Sequence, residues 1–189
     1  NDVLVGVSRD ELQTQLPGYF GGELLEVRGV LTDVAGNATI GATSLTTLTN
    51  DQVNPTQTVT GDIVVAGGNE VQGYWNLTNE TLTISTPLDD DASMIGGVFQ
   101  MKGRKDLEAG SDVGSDSILT TVNTTMETIL TVADLTNGGF LAGVSGTSLS
   151  FWAELTDVAG NVIDGVTGVN TVIVDLDAPS AFNVGAVIA

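Results

Sequence analysis

The sequence contains no cysteine and no histidine among its 189 residues, and only 5 lysines and arginines stand against 24 aspartates and glutamates. Without cysteine the chain cannot form a disulfide or a thiolate metal site. Without histidine it lacks the usual zinc ligand and the commonest general base. The formal net charge of −19 argues against nucleic acid as a partner, because phosphate contacts need lysine and arginine, and against anionic membrane surfaces.

Long apolar runs and catalytic motifs are also absent from the sequence. No stretch reaches the roughly 20 apolar residues of a membrane helix, so we expect no membrane insertion. Nucleophile elbows, phosphate loops and zinc-binding helices are missing. A carboxylate pair could still serve hydrolysis, but 24 acids place some pair close together in any fold. We therefore predict no catalytic residues and no enzyme activity, and keep a carboxylate-based hydrolase only as a third hypothesis.

Threonine, valine and glycine are the commonest residues of the chain, and together with serine and asparagine they are residues of strands and turns. Hydrophobic residues make up 41% of the chain, which is too many for a disordered protein. Helical signals are short. Residues 10–13 predict one helical turn with Ser8 as its N-cap, and residues 104–111 are the best other helix candidate, too short to be stable alone.

One stretch occurs twice, letter for letter. Leu-Thr-Asp-Val-Ala-Gly-Asn fills residues 31–37 and again residues 155–161. The offset is 155 − 31 = 124 residues, and it carries Gly22 onto Gly146 and Pro55 onto Pro179 without a gap. A constant offset over this length indicates an internal repeat.

Each copy of the repeat predicts a hairpin. Before the shared motif, apolar side chains occupy every second position, as Phe151, Ala153 and Leu155 do, which is typical of a strand with one buried face. The Asp-x-Ala-Gly-Asn motif then predicts a tight turn, since Asp and Asn bond to their own backbone there. Extended runs resume at residues 45–49 and 169–174, and the proline that follows each run ends its pairing.

The repeat divides the chain into three parts. Residues 1–55 correspond to the C-terminal part of a repeat unit, residues 56–180 form a complete unit, and residues 181–189 correspond to the first strand of the next unit or to a donor strand. We expect the chain to be one section of a longer tandem array whose ends do not coincide with the boundaries of the repeat units. The many short strand candidates of the complete unit predict an all-β fold, an antiparallel β-sandwich. They are residues 56–60, 63–66, 71–75, 81–85, 98–102, 118–122, 127–132, 149–156 and 169–175.

Several of these stretches resemble a known family. Gly-Tyr-Trp-Asn-Leu-Thr-Asn at residues 73–79, the strand and acidic turn at 81–91, and Asp-x-Asp-x-Pro at 175–179 are similar to bacterial immunoglobulin-like domains. The resemblance covers most of residues 22–180. Such domains occur in tandem in large surface and secreted proteins, including adhesins. The resemblance implies immunoglobulin-like repeats, an extracellular or cell-surface location, and a non-enzymatic structural role in a surface protein, fibre or adhesin stalk.

Two acidic groups are candidates for a cation site. Asp175 and Asp177 precede a predicted domain junction, and Asp157 and Asn161 in the adjacent turn offer further oxygen ligands of the kind Ca²⁺ prefers. The competing interpretation is a polar linker with solvated carboxylates, and the first copy has Val53 where Asp177 stands. The run at residues 89–91 is a second acidic group, more typical of a solvated turn.

A glycan-binding module is the alternative function. The alternation places Trp152 on the outer face of its strand, where an exposed aromatic ring can stack on a sugar. Packing within the protein is the competing interpretation for Trp152, Tyr74 and Trp75. The basic trio Lys102, Arg104 and Lys105 could contact an acidic neighbour or glycan, or form a solvated hairpin tip. Four asparagines also lie in glycosylation sequons: Asn37, Asn76, Asn79 and Asn123.

The predicted partners are other copies of the chain or neighbouring repeats, and cell-surface glycans. Residues 181–189 could add as a strand to the partial domain formed by residues 1–55 of another chain. Such head-to-tail contacts would build a filament. Alternatively, the strands absent from the first unit are supplied upstream in the same polypeptide, and both possibilities stay open at this point.

Overall fold

The computed structural model describes residues 5–16, 18, 21–142, 145–183 and 185. Most of its regular structure is β-strand in antiparallel sheets, with few and short helices, so the all-β class predicted from the sequence is confirmed. The chain divides into two compact units, residues 1–54 and residues 55–189. We call these unit 1 and unit 2.

Unit 1 contains a short helix and two two-stranded sheets. Strands β1 and β4 pair antiparallel, and so do β2 and β3. Their bounds are α1 Arg9–Gln15, β1 Gly21–Leu25, β2 Val30–Thr32, β3 Ala38–Ile40 and β4 Leu48–Asp51.

Unit 2 contains ten strands, one α-helix and one turn of 3-10 helix among its described residues. The strands are β5 Ile63–Ala66, β6 Tyr74–Trp75, β7 Thr81–Leu88, β8 Val98–Lys105, β9 Ser111–Asp112, β10 Ser117–Ile118, β11 Thr124–Thr131, β12 Ser148–Thr156, β13 Val162–Asp164 and β14 Val172–Val174. The helix α2 is Val132–Asn137, and the 3-10 turn is Ala92–Met94.

Two sheets of unit 2 share one hydrophobic core. The larger sheet has the order β10-β8-β12-β14-β6, with β13 paired to β12 and β9 to β8, and the smaller has the order β11-β7-β5. Both contribute inward side chains to the same buried cluster, as the alternation of β7 and β8 shows. Its members include Leu82, Ile84 and Val172, together with Phe151, Ala153 and Leu155, for which the alternation in the sequence predicts a buried face. The arrangement is therefore a sandwich-like all-β layer structure.

The first and last segments of unit 2 lie side by side and run parallel. Val59 forms a parallel bridge with Val166. The Val166 N–H donates to the Thr58 carbonyl at 2.7 Å, and the Thr60 N–H donates to the Val166 carbonyl at 3.2 Å. Farther along, β14 pairs parallel with β6. The segment that begins unit 2 and the segment that ends it are therefore adjacent and parallel.

The sequence repeat is also a repeat of backbone pairing. Both strand pairings of unit 1, β1 with β4 and β2 with β3, recur in unit 2 at the repeat offset. Leu25 pairs with Leu48 and Leu31 with Thr39, whereas Leu149 pairs with Val172 and Leu155 with Ile163. Unit 1 therefore has the strand register of the second half of unit 2.

The two helices repeat at an offset one residue shorter. Ser8 caps α1, as the sequence predicts, and also forms a capping box with Glu11. Thr131 forms the same box with Asp134 at the start of α2. The backbone N–H of Thr131, then its hydroxyl, donates to Asp134 and lowers the pKa of that carboxyl. The helix belongs to the repeat, although its distance from the strand that follows varies by one residue.

The structure corrects several strand predictions. The strand that follows each turn at once is β3 or β13, because the turn side chains satisfy the local N–H groups. The predicted runs at residues 45–49 and 169–174 do contain strands, β4 and β14, and these pair with β1 and with the start of β12. Residues 56–60, a predicted strand, form only the bridge at Val59. The predicted helix at 104–111 is wrong, since β8 extends to Lys105 and β9 follows. Of residues 181–189, the described ones form no strand, and residues 184 and 186–189 lie outside the described residues.

Truncating Phe151 should show how much stability the shared core provides. Phe151 is 0% exposed, whereas its repeat counterpart Val27 is 58% exposed. We expect Phe151→Ala to lower the free energy of unfolding by about 3–5 kcal/mol, the usual cost of removing an aromatic side chain from a core. Both tryptophans lie in unit 2, so urea unfolding followed by tryptophan fluorescence measures it.

Val27→Ala and Thr83→Ala are the matched controls and should change this transition little. Thr83 is next to Leu82 on β7 and points to the opposite face. Equal losses from Phe151→Ala and Thr83→Ala would contradict the assigned strand face.

Candidate functional site

The repeated turn is the best-defined polar feature of unit 2. The Asp157 carboxylate accepts hydrogen bonds from the Asn161 backbone N–H at 2.9 Å and from the Asn161 side-chain amide at 2.8 Å. The Asp157 N–H in turn donates to the Asn161 carbonyl at 3.0 Å. Gly160 has φ +90°, which a residue with a Cβ rarely adopts. This explains why the motif needs Asp, Gly and Asn at these positions.

The copy in unit 1 has the same geometry in a different environment. Asp33 accepts from the backbone and side chain of Asn37 at 2.8 Å each, and the Asn37 side-chain bond, the larger effect, helps lower the pKa of Asp33. Asp33 is exposed, whereas Asp157 is buried at 4% exposure. The Val158 N–H donates to the Ser93 carbonyl, so the second turn packs against the loop before β8.

The predicted cation ligands fall into two pairs. Asp157 bonds Asn161, as described, and Asp175 accepts the Asp177 N–H at 3.1 Å. Asp51 accepts the Val53 N–H at 3.0 Å in the first copy, so this second bond repeats although the second acid does not. Within the described residues, no three Asp or Glu side chains gather into a group suited to a metal ion. Ca²⁺ at Asp175, Asp177, Asp157 and Asn161 stays a prediction.

Asp91 has a structural role that the sequence alone did not indicate. Its carboxylate accepts from the backbone N–H and hydroxyl of Ser93 and from the backbone N–H of Thr56 at 2.8 Å. The Ser93 hydroxyl bond is the main reason that the pKa of Asp91 is lowered. Asp-x-Ser at residues 91–93 is the sequence signal for the cap. The partner Thr56 lies 35 residues away, and no local pattern predicts it.

Trp152 lies on the outer face of β12 and is partly buried there. Its indole N–H donates to Asp164 at 3.0 Å, and the Arg104 guanidinium lies 5.7 Å from the ring centroid. A Cβ on Gly110 would come within 2.1 Å of the ring, so that glycine lets the chain pass close to the indole. One face and one edge of the ring are therefore in contact with the protein. Of the other aromatics, Trp75 is buried in the core and Tyr74 is exposed.

Two of the three basic residues near Trp152 form ion pairs within unit 2. Lys102 lies between Asp112 and Glu154, and its hydrogen bond to Asp112 is the main cause of a raised pKa. Lys105 forms a looser pair with Glu108 at 3.7 Å. Of the predicted basic trio, Lys102 and Lys105 are therefore neutralised by neighbouring acids, whereas Arg104 lies over the Trp152 ring.

The four sequon asparagines differ in environment. Asn79 is buried at 4% exposure, and its amide donates to the Gly67 carbonyl at 2.9 Å, which argues against a glycan there in the folded chain. Asn37 and Asn76 also use their amides in turn hydrogen bonds. Asn123 is exposed with φ +55°. Glycosylation at Asn37, Asn76 and Asn123 stays a prediction.

Comparison with known proteins gives no family assignment. No protein-family model matches the chain, and no curated protein is significantly similar to it in sequence. Both helices described in the structure are too short and too polar to cross a membrane.

The two copies of the turn provide a matched pair of substitutions. Asp157→Ala should lower the free energy of unfolding of unit 2 by about 1–3 kcal/mol, because it leaves buried donors without an acceptor. Asp33→Ala should leave the tryptophan-monitored transition unchanged. An Asp157→Ala chain as stable as the parent would mean that these hydrogen bonds do not stabilise the fold.

The calcium hypothesis has a direct thermal test. If the pair Asp175 and Asp177 binds Ca²⁺ in the folded state alone, millimolar Ca²⁺ should raise the melting temperature by mass action. Asp177→Ala should abolish that increase, and Asp33→Ala should not. Melting curves that coincide in Ca²⁺ and in chelator would dismiss the site.

Proposed function

We propose that the chain is a non-enzymatic structural segment of a tandem-repeat array in an extracellular surface protein, fibre or adhesin stalk. The observation that supports this most strongly is the repeat of strand register, turn bonds and helix cap between unit 1 and unit 2. Repeats that fold as modules of constant size set the length and spacing of a protein rather than its chemistry.

The sandwich-like core of unit 2 supports an immunoglobulin-like assignment. Two sheets, mostly antiparallel, share one cluster of alternating inward side chains, as such sandwiches do. The family resemblance of the sequence motifs points the same way. The sandwich-like all-β architecture is observed, and the immunoglobulin-like strand topology is what we propose.

The surface of unit 2 is consistent with a spacer. Its basic residues on the outer sheet face are engaged by neighbouring acids or by Trp152, and the net charge of −19 keeps copies apart in solution. A spacer needs to stay dispersed at high local concentration, and this charge provides for it.

The glycan-binding alternative rests on the outward Trp152. The Arg104 guanidinium lies over one ring face, Asp164 accepts a hydrogen bond from the indole N–H, and the backbone at Gly110 lies close to one ring edge. Sugar recognition by stacking needs a free aromatic face, and these contacts leave only part of the ring for it. We therefore place the structural role first.

Surface labelling of intact cells tests the proposed function. Antibodies raised against the chain and detected by immunogold electron microscopy should label the outside of unpermeabilised cells or shed fibres, because a stalk is exposed along its length. As the specificity control, adding the free chain to the antibody should block the label. Label that requires permeabilisation of the cell would contradict the proposal.

A further inference from the structure

The exposed side of unit 1 corresponds, position for position, to the covered side of unit 2. In unit 2, β12 pairs with β8 along eight consecutive residues, from Leu149 opposite Lys105 to Thr156 opposite Val98. The equivalent stretch of unit 1 is residues 25–32. In the part of unit 1 that the structure describes, strand pairing joins only β1 to β4 and β2 to β3. The edge equivalent to the β8-binding edge of β12 therefore has no strand paired to it there.

The side chains on this side of unit 1 are apolar and exposed. Leu31 is 80% exposed and its counterpart Leu155 is 1% exposed. Val27 and Leu48 are likewise exposed where Phe151 and Val172 are buried. Single exposed apolar residues are ordinary, but a contiguous set with core counterparts is typical of an interaction surface.

A groove lies beside this edge, between α1 and the β1–β4 sheet. Its volume is ≈ 220 Å³, and its apolar lining is Leu12, Leu16, Leu25 and Leu48. The repeat counterparts of Leu12, Leu25 and Leu48 are Leu135, Leu149 and Val172, all in the core of unit 2. The groove is thus one part of a core whose covering part, in unit 2, includes β5, β7 and β8.

We propose that this side of unit 1 is a docking surface for a segment of a neighbouring repeat that has the strand pattern of residues 55–123. The proposal rests on the tandem-repeat function above and adds the partner and its register. The incoming β8-like strand lies antiparallel to residues 25–32, with its Phe99-equivalent opposite Leu31, as Phe99 lies opposite Leu155 in unit 2.

Charge on the outer face specifies the partner further. In the register of β8 on β12, Lys102 lies opposite Trp152 and Arg104 opposite Ser150. In unit 1 these positions are Arg28 and Glu26. A strand identical to β8 would place a lysine opposite Arg28, and like charges directly opposite are destabilising. The Arg104 equivalent would face Glu26, which is a favourable pair of opposite charges. The natural partner strand is therefore one that keeps a basic residue opposite Glu26 and has an acidic or neutral residue opposite Arg28.

The test uses the full chain with a second copy of residues 55–123 fused directly before residue 1. Hydrogen exchange, read by mass spectrometry, reports the amides of residues 25–32. We expect fusion to slow their exchange by at least about a hundredfold, because a frayed edge becomes part of a cooperative sheet. In the fused copy alone, Phe99→Asp should abolish the slowing, because a charge would replace the apolar side chain that faces Leu31.

Two results would overturn the proposal. The first is fast exchange at residues 25–32 in the fusion. This result counts against the proposal both when the added copy is protected and when it is not, because docking requires the two parts to fold together. The second is slow exchange in the unfused chain together with dimers in sedimentation, which would make a second copy of the whole chain the occupant. Neither result bears on surface labelling, so the proposed function can stand or fall separately.

Discussion

Burial of the inward face of one long strand, β12, is the interaction on which the rest of unit 2 depends. Leu149, Phe151, Ala153 and Leu155 are all at most 1% exposed, and β8 and β14 both pair with the same strand. Each large apolar side chain removed from water in this way stabilises the fold by about 1.5–3 kcal/mol. In the described part of unit 1 the equivalent strand stretch belongs to two-stranded sheets, which are marginal in water. The same local pattern thus gives a core in one unit and an exposed surface in the other.

Local signals allowed much of the fold to be predicted from sequence. The period-two alternation of residues 149–155 predicts the burial of Leu149, Phe151, Ala153 and Leu155, and Ser8 predicts the N-cap of α1. The capping box of α2 is harder to predict, because Asp134 stands where the motif usually has Glu or Gln and Val132 continues the apolar pattern of a strand. The hairpin partner strands were placed too late in both copies. The Asp–Asn bonds close the turn within five residues, so pairing resumes before the next apolar run begins.

The candidate polar residues were predictable only where their partners are close in sequence. Asp157 with Asn161, and Asp175 with Asp177, lie within a few residues of each other and bond as turns. The contacts of Trp152 with Asp164 and Arg104, and of Asp91 with Thr56, join distant parts of the chain. Which of these residues meet is decided by sheet order and register. Neither is visible in the spacing of residue types along one sequence.

The parallel course of the first and last segments of unit 2 has a mechanical consequence. A pull on the two ends of the unit would act near Thr56 in one direction and beyond Asp175 in the other. The bonds of Thr58 and Thr60 to Val166, and that of the Asp175 N–H to the Trp75 carbonyl, cross between segments dragged past each other. Such bonds are loaded together in shear, whereas an antiparallel hairpin pulled from its open end opens one bond at a time. Tension along the chain would therefore load these hydrogen bonds together, before any one strand could be separated from the sheet.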